Sequence, residues 1–130
     1  MPLQLKLEPD RGLPIWKQIQ EGVRRAIASG ELCPGEAVSS VREAALRWRI
    51  NPATVSRAYR SLVDEGLLVV RRGDGTFVSE GVSRKVDDLR EGELRSAAGI
   101  FVGTAQALGA GEEESCRMIR LVWKERGANL

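Results

Sequence analysis

Between Asn51 and Leu62 the chain interleaves two kinds of side chain at a telling spacing. Thr54, Ser56, Arg57, Arg60 and Ser61 carry hydroxyls and guanidinium forks. Such groups can bond base edges in a major groove and the phosphates beside it. Val55, Ala58, Tyr59 and Leu62 recur at i, i+3, i+4 and i+7, so a helix would gather them on one side. The polar set is then left on the rest of its surface. Many helices with a polar side bind nothing, so the flanking elements decide what this one means.

Those elements are well marked. Leu3 to Leu7 alternates apolar and polar residues, as a short strand or extended arm does. Pro14 suits the first turn of a helix whose buried stripe is Ile15, Ile19, Val23, Ala26 and Ile27, with Trp16 at the margin. Gly30 stops that helix, and Leu32 to Gly35 forms a turn. Ser39 or Ser40 can cap a second helix, with Glu43 in its first turn and Val41, Ala44, Ala45 and Trp48 on its apolar side. Asn51 is placed to cap the third helix, with Pro52 at its start. Two short helices joined by a tight turn describe a helix-turn-helix. The third ends near Gly66. Leu67 to Arg71 is then β-prone, residues 72–75 form a hairpin turn, and Thr76 to Val78 return as a strand. A hairpin directly after a helix-turn-helix is a wing.

After Gly81 the composition changes. Residues 83–108 read as one long helix, broken by the Gly109-Ala110-Gly111 run. A last helix follows, with Cys116, Ile119, Val122 and Trp123 on its apolar face. The expected class is therefore mainly α with a small β-hairpin: a winged helix-turn-helix over residues 1–80 and a two-helix hairpin over 81–130. Two antiparallel helices cannot bury their stripes alone and must pack on something else. Gly99 and Gly103, four apart, would let a partner helix come close.

Charge is unevenly spread. The chain of 130 residues carries a net +2. Residues 38–72, however, hold seven arginines against Glu43, Asp64 and Glu65, and residues 81–130 are neutral. Affinity for a polyanion would be concentrated in the middle. There is no histidine, and Cys33 and Cys116 lack metal-ligand spacing, so neither a metal nor a cofactor is expected. Paired carboxylates in a pocket or a phosphate loop cannot be read either, which argues against an enzyme. No segment reads as a secretion signal or a membrane span, and a cytoplasmic location is expected. Tyr59, Trp16, Trp48 and Trp123 read as core, and no run of exposed aromatics suggests a single-strand binder.

The order of motifs resembles the GntR family of bacterial transcription regulators across the first 80 residues. The resemblance is carried by residues 14–19, 30–35, 40–43, 51–59, 65–67 and 72–78. The short tail, with no room for a ligand-binding domain, is similar to the YtrA subfamily, in which such a tail serves dimerisation. The resemblance implies a homodimer on double-stranded operator DNA. It assigns DNA contacts to Ser40 and Arg42 on the second helix and to Asn51, Ala53, Thr54, Ser56 and Arg57 on the third. Gly73 would approach the minor groove, with Arg71 and Arg72 near phosphates. The dimerisation set is Leu94, Ala97, Gly99, Phe101, Gly103, Leu108, Ile119, Val122 and Trp123.

The chain also departs from the family pattern. Val38-Ser39 replaces the usual Leu-Pro, and Ala53 stands where a polar residue is common. Asp74 stands where a basic one is usual. Arg49 takes a turn position often given to glycine and would add a phosphate contact. Two function classes follow as expectations: a dimeric repressor on an inverted-repeat operator, or a winged-helix module that binds a protein through the same surface. An unknown small-molecule effector is left open as a partner.

Overall fold

The computed structural model describes residues 3–128. Among these, helix α1 spans Ile15–Ser29, α2 Val41–Trp48, α3 Pro52–Asp64, α4 Val86–Ala107 and α5 Glu112–Ala128. Three strands, β1 Ala37–Val38, β2 Leu68–Arg71 and β3 Gly75–Val78, form one antiparallel sheet in the order β1-β3-β2.

Local chemistry sets the helix limits. Gly30 ends α1 in the left-handed region at φ 85°, and the Leu32 N–H reaches back to the Ala26 carbonyl. Ser40, rather than Ser39, caps α2, its hydroxyl accepting from the Glu43 N–H at 3.1 Å. Asn51 caps α3 by accepting from the Ala53 N–H at 2.8 Å, with Pro52 following where no N–H is required. Gly66, at φ 79°, turns the chain out of α3 into β2.

The core of the first unit closes on Ile19, Ile27, Val55, Leu62, Leu67, Leu68, Val78 and Val82, all essentially without exposure. Each such side chain contributes about 1.5–3 kcal/mol through burial. The stripes of α1, α2 and α3 meet there as their spacing predicts. The extended arm also holds: Leu3, Leu5 and Leu7 are half-buried while Gln4 and Lys6 are exposed. Gln18, buried on α1, fastens this arm. Its amide donates to the Glu8 and Leu13 carbonyls, and its Oε1 accepts from the Glu8 N–H, all at 2.8 Å.

Two expectations are corrected. The wing has a third strand, because Ala37 and Val38 pair with Phe77 and Thr76; a two-residue strand carries no period to read. The long helix does not begin at Ser83. Ser79 caps a 3-10 turn over Glu80–Arg84 that inserts Val82 into the core, and α4 starts only at Val86. Leu89 also packs on this core, and the compact units divide between Glu91 and Gly92.

Candidate nucleic-acid interface

Helix α3 buries Val55, Ala58, Tyr59 and Leu62 and turns Ala53, Arg57 and Arg60 outward, with Thr54 and Ser56 half-buried beside them. Its far end is held against α1 by Glu65, which accepts from Arg24 Nη2 at 2.6 Å and from Arg24 Nε at 3.3 Å. Gln20 donates to the same carboxylate. Arg57 is anchored differently: its guanidinium lies 4.2 Å from the centroid of the Trp16 ring on α1. Trp16, read from sequence as core, is half-buried and serves as a platform, because only one side of its ring is needed to cover the core.

Helix α2 contributes Ser40 at its start and the exposed Arg42 one residue inside. The start of α2 is tied to α3 across the turn. The Tyr59 hydroxyl donates to the Ser39 carbonyl at 2.8 Å, and Arg47 Nη1 donates to the Ser39 hydroxyl at 2.8 Å. Burial pushes the Tyr59 phenol up to about 12; the charge of Arg47 opposes this shift and that of Glu43 adds to it. The phenol therefore keeps its donor proton throughout the neutral range. The N-termini of α2 and α3 present the positive ends of their dipoles, which favour phosphate.

Between them lies Arg49, exposed, at φ 56° and ψ 49°. Among the described residues it is the non-glycine in the left-handed region. That conformation costs an L-residue about 1–2 kcal/mol.

The wing tip is Arg72-Gly73-Asp74, all exposed, closed by the Asp74 N–H on the Arg71 carbonyl at 3.0 Å, with Gly73 at φ 80°. Arg71 stacks over Phe77 at 4.5 Å, from the same face of the neighbouring strand. Sequence reasoning missed both aromatic platforms and Glu65: Trp16 and Glu65 act through residues far away along the chain, and Phe77 through the register of the β2–β3 hairpin. The first unit thus presents Arg42, Arg49, Arg57, Arg71 and Arg72 as exposed cations on helix starts, a turn and a wing, where duplex phosphates and base edges are chemically suitable partners.

Residues 16–78 match the model of the bacterial regulatory proteins, gntR family. Over 107 residues the chain is 35% identical to the uncharacterized HTH-type transcriptional regulator YhcF of Bacillus subtilis (strain 168), covering 82% of this chain and 88% of that protein. The chain belongs to the GntR family. Its likeness to the HTH-type transcriptional repressor YtrA of the same organism is 38% over 76 residues, 58% of each chain. A GntR family transcriptional regulator from Listeria monocytogenes superposes with a TM-score of 0.74 at 30% identity, covering 88% of this chain and 97% of that one. AraR(DBD) in complex with operator ORX1 matches with a TM-score of 0.53 at 26% identity, over 61% of this chain and 99% of that one.

The second unit of this GntR protein is an apolar hairpin with little of its apolar surface covered. Gly109, at φ 77°, ends α4, and Glu112, Glu113 and Glu114 open α5 where its dipole favours acids. Ala105 is buried and Phe101 half-buried. Leu94, Ala97, Leu108, Ile119 and Val122 are exposed, and Trp123 is 77% exposed, so reading it as core is corrected. Leu108 lies just past the end of α4. Nothing stands within 4 Å of the space a side chain would take at Gly99 or Gly103. Phe101, Met118, Ile119, Val122, Trp123 and Arg126 line an apolar slot of about 220 Å³. Among the described residues no helix is long and apolar enough to cross a membrane.

Proposed function

We propose that this GntR-family chain is a sequence-specific regulator of transcription that binds double-stranded DNA as a homodimer and represses by occupying an inverted-repeat operator. The observation that carries the reading is the set of exposed arginines on the α2 and α3 starts and on the wing, in a fold whose relative AraR(DBD) was solved on an operator. The early residues of α3 enter the major groove. Ala53 meets a thymine methyl there, while Asn51, Thr54, Ser56 and Arg57 supply polar contacts. Arg42 reads a base from α2, Ser40 and Arg49 meet phosphate, and Gly73 lets the wing approach the minor groove with Arg71 and Arg72 near phosphates.

Dimerisation is assigned to the tail. Nine of the eleven large apolar side chains exposed among the described residues lie between Leu94 and Trp123. Exposed apolar side chains concentrated in this way on one hairpin call for a covering partner, and a second copy supplies the same side chains by two-fold symmetry. The two α3 helices would then meet successive major grooves roughly 34 Å apart.

Selection of bound sequences from random duplex tests this directly. The expected result is an inverted repeat with half-sites about one helical turn apart. Arg42→Ala should cost roughly 1–3 kcal/mol and relax preference at one base pair per half-site. Absence of binding to any duplex at low salt would instead favour a protein partner on the same surface.

A further inference from the structure

Arg57 leaves α3 on its exposed side, yet its guanidinium carbon stands 4.2 Å from the Trp16 centroid, a face-on stacking distance. Trp16 occupies the first turn of α1 and packs against the core, so the ring is a fixed surface. Lys17 Nζ lies 5.5 Å from the same ring, farther than the guanidinium. A stack uses the π-face of the guanidinium and leaves its five N–H donors in plane, pointing outward as a fork. The wing repeats the device with Arg71 over Phe77 at 4.5 Å.

We propose, building on the DNA-binding function above, that Trp16 is a positioning residue for base reading: its indole holds the Arg57 fork in the orientation it uses in the groove before DNA arrives. An arginine that docks from a free rotamer ensemble loses that freedom on binding; one already stacked has lost most of it in the free protein. The gain applies to the operator, where the fork must meet base-edge acceptors in a set geometry. It does not apply to random duplex, where a loosely held charge neutralises a phosphate equally well. Trp16 therefore contributes to specificity without itself contacting a base.

The test uses the full chain, the inverted repeat selected by the wild-type protein, and a scrambled duplex of equal length. Trp16→Leu should weaken operator binding about three- to tenfold while leaving scrambled-duplex affinity and the salt slope unchanged. Trp16→Phe, which keeps an aromatic face, should stay within about twofold of wild type. In an Arg57→Met background, Trp16→Leu should cost nothing further.

Tighter operator binding by Trp16→Leu would mean that Arg57 must leave the ring to reach DNA, and overturns the proposal. Equal losses on both duplexes, or full additivity with Arg57→Met, assign Trp16 to packing alone and overturn it as well. In the DNA-free protein, the Arg57 δ-protons should be ring-current shifted in wild type and Trp16→Phe but not in Trp16→Leu. Absence of that shift removes the stack even if the protein binds its operator. Presence of the shift with no operator preference in wild type removes the DNA-reading function instead, and with it the role of the stack.

Discussion

Arg49→Gly should make the protein more stable and a poorer DNA binder. At φ 56° and ψ 49° Arg49 closes α2, its N–H on the Ala45 carbonyl, in a conformation that glycine adopts without strain. Removing the side chain relieves about 1–2 kcal/mol of left-handed strain. The greater freedom of glycine in the unfolded chain takes back about 0.5–1 kcal/mol. The side chain is exposed, so little packing is lost with it. The net expectation is a gain of up to about 1.5 kcal/mol, seen as a higher denaturant midpoint at constant m-value. If the guanidinium neutralises one phosphate per protomer, the slope of log affinity against log salt should shrink by roughly 1.8 units for the dimer. Denaturant titrations and duplex titrations at several salt concentrations measure the two effects separately. A destabilised Arg49→Gly protein would refute the strain reasoning, and an unchanged salt slope would refute the phosphate contact. A residue that costs stability and adds affinity is what selection for function at this turn would retain.

Other perturbations test other parts of the structure. The folded Tyr59 phenol titrates near 12 against about 10 when unfolded, so the folded state keeps a proton the unfolded chain has released. Its contribution is intact below pH 10 and falls by up to about 3 kcal/mol as pH rises towards 12; Tyr59→Phe should lack that component in pH-dependent unfolding. The same variant should lose about 1 kcal/mol at neutral pH with the bond to the Ser39 carbonyl. Gly22→Ala would press a methyl group onto the tip of the Leu5 side chain; the gain of about 0.5–1 kcal/mol in helix preference roughly offsets that crowding, so stability should change little while residues 3–8 become more open to protease. Trp123→Glu or Ile119→Glu places a charge on the exposed apolar face of α5. Light scattering should then report a monomer with an intact first unit and weakened operator binding; a dimer of unchanged stability would move the interface elsewhere.

Much of the candidate interface was legible along the chain because short-range rules govern it. Helical spacing assigned Val55, Ala58, Tyr59 and Leu62 to the core, and capping chemistry placed Asn51 and Pro52 at the start of α3. Turn residues put Gly73 at the wing tip. Each of these depends on neighbours within about four positions. Other features join residues far apart in the chain. Trp16 meets Arg57, Arg24 and Gln20 meet Glu65, and Ala37 pairs with Phe77. No periodicity encodes such pairs, since their distance is set only when α1, α2 and α3 pack together.

Short-range chemistry along the chain therefore set the succession of the helices and the hairpin, the apolar face of each helix in the first unit, the Asn51 cap and the concentration of arginine. Tertiary structure decided which of those arginines are held and by what. It turned Trp16 from presumed core into a platform, committed Ser40 to a cap, and carried Val82 and Leu89 back into the first unit. It also left Trp123 exposed. The reason is physical: periodicity tells which side of a helix must leave water, whereas only packing tells what, if anything in the same chain, covers it.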